Sequence, residues 1–316
     1  MRLVEVAKLE RWGLILAGGE GARLRPLTVR IAGDDRPKQF CTILGNRSLL
    51  DRTRMRAALS IAPDRILTIV TRTHERFYQP CLARAPSRSV IVQPENRGTA
   101  TAILYGLLRI SRTAPTAPVA LFPSDHYVSD EAHFMRHVDA AFQAVQARPE
   151  LVILLGVSPD SPEVEYGWIE PADPVPLNQA FTLYRVHRFW EKPTSALAES
   201  LWSLGCLWNS FVMVASVPTL LSLIRQALPS LSQAFAKVQS QLDTPGEAKA
   251  VEALYAGIPS TNFSKQVLAS RPANLAVLPV RNVLWSDWGT PHRVIATLAR
   301  IGIQPKWADP ATALPA

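Results

Sequence analysis

The chain has 316 residues, of which 47% are hydrophobic and 19% charged, proportions of a globular protein able to bury a sizeable core. Its 34 Lys and Arg against 26 Asp and Glu leave a formal charge of +8; that balance attracts phosphorylated small molecules, and with no long basic run or Arg/aromatic ladder, nucleic acid is not an expected partner. Three widely spaced cysteines, Cys41, Cys81 and Cys206, argue against a disulfide framework and for a reducing cytoplasm, and no apolar stretch reaches membrane length.

After a mixed lead-in over residues 1–11, the apolar run Trp12–Ala17 predicts a buried first strand. Gly18, Gly19 and Gly21 follow, then Arg23, Arg25 and Pro26, and a second cationic pair at Arg36 and Lys38. Glycines let the backbone turn sharply beside a ligand, main-chain N–H groups at such a turn form an anion nest, and cationic side chains add charge-assisted hydrogen bonds. The expectation is a phosphate-handling loop at the end of the first strand. Two better-known glycine motifs do not fit. The dinucleotide fingerprint would need a third glycine where Leu24 stands, and Arg23-Leu24 occupies the place of a P-loop Gly-Lys-Ser/Thr.

Apolar spacing then predicts a helix over Ser48–Ser60, a strand over Arg65–Thr71, a helix over Glu75–Leu82 and a short strand over Ser89–Val92. A polar turn, Pro94–Gly98, leads into a helix carrying Ile103, Leu104, Leu107, Leu108 and Ile110. The strand Val119–Phe122 ends at once in Pro123-Ser124-Asp125-His126; a helix contains Val138–Val145, and Leu151–Val157 is a further buried strand. This alternation predicts an α/β fold with a doubly wound, mostly parallel sheet covered on both faces, whose ligands lie beyond the carboxyl ends of the strands. The glycine loop, the 94–98 turn and Asp125 all fall at such ends, so they can converge.

From about residue 158 the texture changes, with prolines at 159, 162, 171, 174 and 176. Two antiparallel edge strands are expected around 166–170 and 181–190, then a helix over Ser195–Leu204 and a strand over Leu207–Ala215. Helices are predicted across 217–228, 230–242 and 246–256, a strand near Leu275–Pro279, the turn Trp285–Gly289, and a final helix from Pro291 to Arg300. There is no internal repeat and no boundary clean enough for an independently folding second domain.

Asp125 directly follows a buried strand, and Asp287 lies in a tryptophan-flanked turn. Carboxylates there suit Mg²⁺, which prefers oxygen ligands; the same position also suits a helix N-cap or an Asx turn. His133 and His137 are four apart on one helix and lack the H-E-x-x-H zinc arrangement, so they read as a solvated face. Glu191-Lys192-Pro193 and Trp208-Asn209-Ser210 place polar groups among bulky apolar ones. Sugar hydroxyls and an anomeric phosphate would partner them, as would an internal Glu–Lys pair and a side-chain–backbone bond.

Taken together, LILAGGEGARLRPLT, RPKQF, PENRGTA, FPSDHYV, EYGWIE, FWEKP, LWNSF and VLWSDWG, in this order over roughly residues 12–290, resemble the sugar nucleotidyltransferases. The set is most similar to their mannose-1-phosphate guanylyltransferase branch. The resemblance implies a Rossmann-like, GT-A-like nucleotidyltransferase domain over 1–300, with a nucleotide-binding part at 12–157, a sugar-binding part at 158–300 and a short tail at 301–316. It implies transfer of a nucleoside monophosphate from an NTP, GTP first, to a hexose 1-phosphate, mannose 1-phosphate first. Mg²⁺ would be the cofactor, and a homodimer is compatible with the family. Carried over residue by residue, it implies phosphate-path cations at Arg23 and Lys38, catalytic and metal carboxylates at Asp125 and Asp287, and nucleotide contacts at Gly18, Gly19 and Gly21 and along Glu95, Asn96, Arg97, Gly98 and Thr99. Its sugar contacts fall on Gly167, Glu191, Lys192 and Asn209.

The chain departs from that branch in places. Gly-Glu-Gly-Ala-Arg and Leu-Arg-Pro stand where Gly-Ser-Gly-Thr-Arg and Leu-Trp-Pro are common, and Asn262 and Val267 occupy two positions that are acidic in the branch. The latter changes bear on sugar specificity more than on phosphate chemistry.

Overall fold

A computed structural model of the chain describes residues 10–176, 181–305 and 307. The expected lead-in at 1–11 and tail at 301–316 lie largely outside the described residues. The strands are β1 (Trp12–Ala17), β2 (Ile66–Thr71), β3 (Val90–Gln93), β4 (Pro118–Pro123), β5 (Tyr127–Val128), β6 (Val152–Val157), β7 (Gly167–Val175), β8 (Leu183–Glu191), β9 (Leu207–Ser216), β10 (Leu275–Val280) and β11 (Trp285–Ser286).

Nine of them form one sheet in the order β3-β2-β1-β4-β9-β6-β10-β8-β7. Residues alternate between its faces. Along β1, Ile15 and Ala17 join one apolar cluster and Leu14 the other; along β4, Ala120 and Phe122 oppose Val119 and Leu121. Helices Leu49–Ala57 and Glu131–Ala147 cover the first face, supplying Leu50, Phe134 and Phe142. Helices Thr99–Thr113, Val217–Ala227, Pro229–Ala236 and Glu247–Gly257 cover the second with Leu107, Ile224, Phe235 and Tyr255. Each large apolar side chain so buried contributes about 1.5–3 kcal/mol, and burial on both faces is why these strands read as continuous apolar runs.

The sheet corrects the expectation of a mostly parallel one. Only β3-β2-β1-β4 and the pair β6–β10 are parallel. Between them runs β9, antiparallel to both β4 and β6, followed at the far side by antiparallel β8 and β7. Strand β7 then returns to pair with the start of β9 through Trp168↔Trp208 and Ile169↔Leu207. Strands β9, β6, β10, β8 and β7 therefore curl into a barrel-like ring. Because β9 is buried along nearly its whole length, it lacks the apolar/polar alternation of a half-exposed antiparallel strand and carries no sign of its direction.

Two local expectations also change. The helix expected over 230–242 ends at Ala236 and continues only as a short 3₁₀ turn, Gln239–Gln241. His137 does not lie on a solvated face: it is 3% exposed, its Nδ1 donates to the His133 carbonyl at 3.0 Å, and its ring sits 4.8 Å from that of Phe181. Among the described residues no helix is long and apolar enough to cross a membrane, and all three cysteines are unpaired.

Candidate active site

The loop after β1 is fixed by side chains from three directions. Gln39, buried to 2% exposure, donates from Nε2 to the carbonyls of Ala17 (3.1 Å) and Gly19 (2.8 Å). At the end of β2, the Thr71 hydroxyl donates to the Gly18 carbonyl at 3.0 Å and accepts from Gln93 Nε2 at 3.0 Å. Gln93 Oε1 in turn accepts from the Tyr255 hydroxyl at 3.2 Å. A Cβ on Gly18 would stand 2.3 Å from Gln93 Nε2 and 2.8 Å from Thr71 Oγ1, so a side chain there would break this chain of bonds.

The turn before helix Thr99–Thr113 docks on a distant segment. Asn96 Oδ1 accepts from Gly98 N at 2.9 Å, Thr261 N donates to the Arg97 carbonyl at 3.0 Å, and Ala100 N donates to the Thr261 carbonyl at 3.2 Å. Gly98 holds φ +83°, and a Cβ there would lie 2.1 Å from the Thr261 carbonyl oxygen. Only glycine fits both conditions. Phe263 N donates to Thr99 Oγ1 at 2.8 Å, and the chain continues into a single π-helical turn, Ser264–Leu268. Glu95 and Arg97 pair with each other at 2.8 Å.

A two-stranded ladder brings the two aspartates together. Strand β5 pairs with β11 in the register Trp285↔Val128 and Ser286↔Tyr127, so extending it by one step sets Asp287 opposite His126. Helix Leu49–Ala57 supports the same loop, since Thr53 Oγ1 donates to the Ser124 carbonyl at 3.2 Å. Lys38, 5% exposed, lies between the aspartates: its Nζ is 3.0 Å from Asp125 Oδ2 and donates to the main-chain carbonyls of Asp287 and of Trp288, the latter at 3.2 Å. The Asp287 carboxylate accepts from Gly289 N at 2.8 Å and from Arg293 at 3.0 and 3.2 Å. Burial alone would push Asp287 up, but Lys38, His126 and Arg293 outweigh it and hold the carboxyl below its ordinary value. Arg293 also pairs with Glu163 at 2.8 Å and stacks 4.5 Å above the Tyr166 ring. Burial pushes His126 down to about 4, against the pull of Asp125, so its imidazole is neutral at pH 7.

On the other wall, β7 and β8 set Gly167 opposite Glu191. A bulge between β6 and β9 turns the Trp208–Ser210 segment: Ser210 Oγ donates to the Leu155 carbonyl at 2.6 Å, and Asn209 Oδ1 accepts from Phe211 N at 3.1 Å. Burial raises Glu191 above its ordinary value, opposed by Lys192 and Lys265.

These walls enclose a cavity of about 660 Å³. Gly18, Gly19, Asn96, Gly98 and Thr99 line one side of it and Gly167, Glu191 and Asn209 the other, with Asp125 and Asp287 between them. A smaller cavity of about 380 Å³ shares Asp125, His126 and Asp287 and is lined by Gly21, Arg23 and Lys38. Glu95, Arg97 and Lys192 line neither. Residues that sequence reasoning did not single out are Gln39, Thr71, Gln93, Glu163, Thr261, Lys265 and Arg293. Gln39 stood inside a quoted motif; for the others only the tertiary partners disclose a role.

Among the described residues no three His, Cys, Asp or Glu side chains form a metal cluster. Mg²⁺ does not require one, because it keeps several waters and is commonly held by one or two carboxylates together with substrate phosphates. Asp125 and Asp287, flanking one buried ammonium group, fit that donor set.

Residues 12–301 match the protein family described as "Nucleotidyl transferase". The chain is 28% identical over 284 residues to the "Xanthan biosynthesis protein XanB" of Xanthomonas campestris pv. campestris, covering 88% of this chain and 57% of that one. It is 26% identical over 294 residues to the "Mannose-1-phosphate guanylyltransferase" of Escherichia coli K12, covering 90% of this chain and 59% of that one. The chain thus spans little more than half the length of these relatives. A solved structure from Thermus thermophilus, described as "mannose-1-phosphate geranyltransferase", matches with a TM-score of 0.78 at 29% identity over 94% of this chain and 80% of that one.

Proposed function

The chain belongs to the nucleotidyl transferase family, and from that premise we propose that it transfers a nucleoside monophosphate from an NTP to a hexose 1-phosphate. GTP and α-D-mannose 1-phosphate are the leading pair, with GDP-mannose and diphosphate as products. The observation that carries this reading is the meeting of Lys38, Asp125 and Asp287 between the glycine-loop wall and the Glu191–Asn209 wall.

An oxygen of the sugar phosphate attacks the α-phosphorus of the NTP in line. The new P–O bond forms as the bond to the β-phosphate oxygen breaks, and diphosphate leaves with that electron pair. No covalent protein nucleophile is needed, so the protein's part is positioning and charge stabilisation. Gly18 and Gly19 let the triphosphate approach the main chain, and Lys38 and Arg23 neutralise charge along its path. Glu191 and Asn209 present acceptor and amide groups to sugar hydroxyls, with Gly167 leaving room between them. Mg²⁺ held by Asp125 and Asp287 would supply further charge neutralisation and orient the phosphates.

A second reading, a non-catalytic regulator that binds a nucleotide sugar, is favoured by Asn262 and Val267. Asn262 is engaged within its own turn, its N–H donating to Gln266 Oε1 at 2.7 Å and its Oδ1 accepting from Lys265 N at 2.9 Å, and Val267 is fully buried. Diphosphate release measured across a matrix of NTPs and hexose 1-phosphates with Mg²⁺ separates the two. Turnover greatest with GTP and mannose 1-phosphate is expected; no turnover with any pair, with nucleotide-sugar binding retained, would favour the regulator.

A further inference from the structure

We infer that Glu165 is an internal competitor for substrate phosphate: a carboxylate that straps the glycine-loop side of the cleft to the sugar side until an anionic substrate displaces it. The inference rests on the phosphate path proposed above and assigns that path a built-in occupant.

One atom, Oε2 of Glu165, serves two cations. It pairs with the Arg23 guanidinium, which follows the glycine loop, and lies 3.5 Å from Nζ of Lys192, which follows β8. The Arg23 partner is 142 residues away in sequence, so the contact joins two separate walls. Glu165 lines the larger cavity and Arg23 the smaller. Among the described residues, neither Arg23 nor Lys192 has another carboxylate within ion-pair distance.

The main chain here is held and the side chains are not. Glu165 N donates to Glu163 Oε1 at 3.1 Å, and the next residue, Tyr166, is buried against Trp208 and Trp285. Lys192 N donates to the Tyr166 carbonyl at 3.2 Å, with Lys192 at φ +50°. Yet the side chains of Arg23, Glu165 and Lys192 are 52%, 40% and 51% exposed. Exposed pairs of this kind are weak and screened by salt, so they yield to a better anion. The buried Arg293 pairs, 12% exposed at the arginine, are not of that kind. A guanidinium fork donates to carboxylate and phosphate oxygens in the same geometry, and a polyphosphate brings more charge. The positioning role of Glu165 is therefore to occupy Arg23 and Lys192 when substrate is absent and to release both when a phosphate arrives.

Calorimetric titration of the full chain with inorganic tripolyphosphate, free of divalent cations, tests this without turnover. Glu165→Gln should bind about three- to tenfold more tightly than the parent, with the gain shrinking as salt is raised. In an Arg23→Gln/Lys192→Gln background the same substitution should give no gain. Equal or weaker binding by Glu165→Gln overturns the strap, and so does an undiminished gain in the double-variant background, which would mark a mere change in net charge. No binding by any form overturns the strap together with the phosphate path. Tighter binding by Glu165→Gln without nucleotidyl transfer from any substrate pair would sink the proposed reaction and leave the strap standing.

Discussion

Lys38 and Asp125 form an ion pair of 3.0 Å in which the lysine is 5% exposed and is held on its far side by the main chain of the Asp287–Trp288 turn. One buried ammonium group thus ties the 3₁₀ turn Lys38–Phe40, the end of β4 and the turn after β11 into a single unit. In the proposed reaction the two residues have separable tasks, because one carries positive charge and the other an anionic oxygen.

Lys38→Ala and Asp125→Asn should each lower kcat/KM by about 100-fold or more, the usual loss on removing one preorganised electrostatic group. Asp125→Asn alone should be partly rescued or reshaped by raised Mg²⁺ or by Mn²⁺, since it removes the oxygen the cation prefers. Parallel metal titrations of the two variants decide. Near-parent turnover of Asp125→Asn with unchanged metal dependence would make Asp125 a structural residue only.

Arg293 holds Asp287 through both carboxylate oxygens and Glu163 from the opposite side while almost enclosed. Arg293→Ala leaves two half-buried carboxylates without their cation, and the expected loss of stability is on the order of 3 kcal/mol. Arg293→Lys keeps the charge but not the fork, so it should recover only part of the stability and of kcat/KM. Urea midpoints and kinetics measured on both variants check this; an unaltered midpoint for Arg293→Ala would show that the pairs contribute nothing.

Gly98→Ala is expected to be among the most damaging small changes in the chain. Its Cβ would sit 2.1 Å from a main-chain oxygen at φ +83°, and neither conflict is relieved by a side-chain rotation. A loss on the order of 3 kcal/mol or more follows, with a matching fall in Tm. Nucleotide affinity should fall with it, because the 96–99 turn loses its seat on Thr261. A Tm within a degree of the parent would contradict the rigidity argued for this contact.

The buried His137 contributes to a pH dependence that His126, also depressed by burial, shares. Burial, the largest cause, holds the His137 pKa below the ordinary value of 6.5, outweighing its bond to the His133 carbonyl. A depressed folded-state pKa means that the unfolded chain takes up the proton first, so stability is full above pH 6.5 and declines as pH falls toward the folded-state value. His137→Gln should flatten the fall in Tm between pH 7.5 and pH 5 while lowering Tm at pH 7.5 through lost packing against Phe181. An identical pH profile in parent and variant would show that another group carries the dependence.

What the sequence determined by itself was the α/β alternation, the boundaries of the main core strands and the short polar motifs that interrupt them. Runs such as Ile66–Thr71 and Val152–Val157 are buried throughout because both faces are covered, and that burial is written in their mainly aliphatic composition. Direction is not. Strand β9 is as buried as its neighbours, and only the descending registers Ala120↔Val214, Leu121↔Met213 and Ile153↔Val214, Leu154↔Met213 reveal that it runs antiparallel between β4 and β6. The same limit applies to the site. Asp125 and Asp287 each advertise themselves by following a strand or sitting in a tryptophan-flanked turn, but their meeting depends on the two-residue ladder of β5 with β11, too short to leave a periodic signal. Gln93, Thr261 and Arg293 are ordinary residues in ordinary surroundings along the chain, and Glu165 stands inside the quoted motif EYGWIE with no sign of its partners. Hydrogen bonds and ion pairs act over about 3–4 Å, and distances of that order between residues 22 to 160 apart in sequence exist only once the sheet has closed.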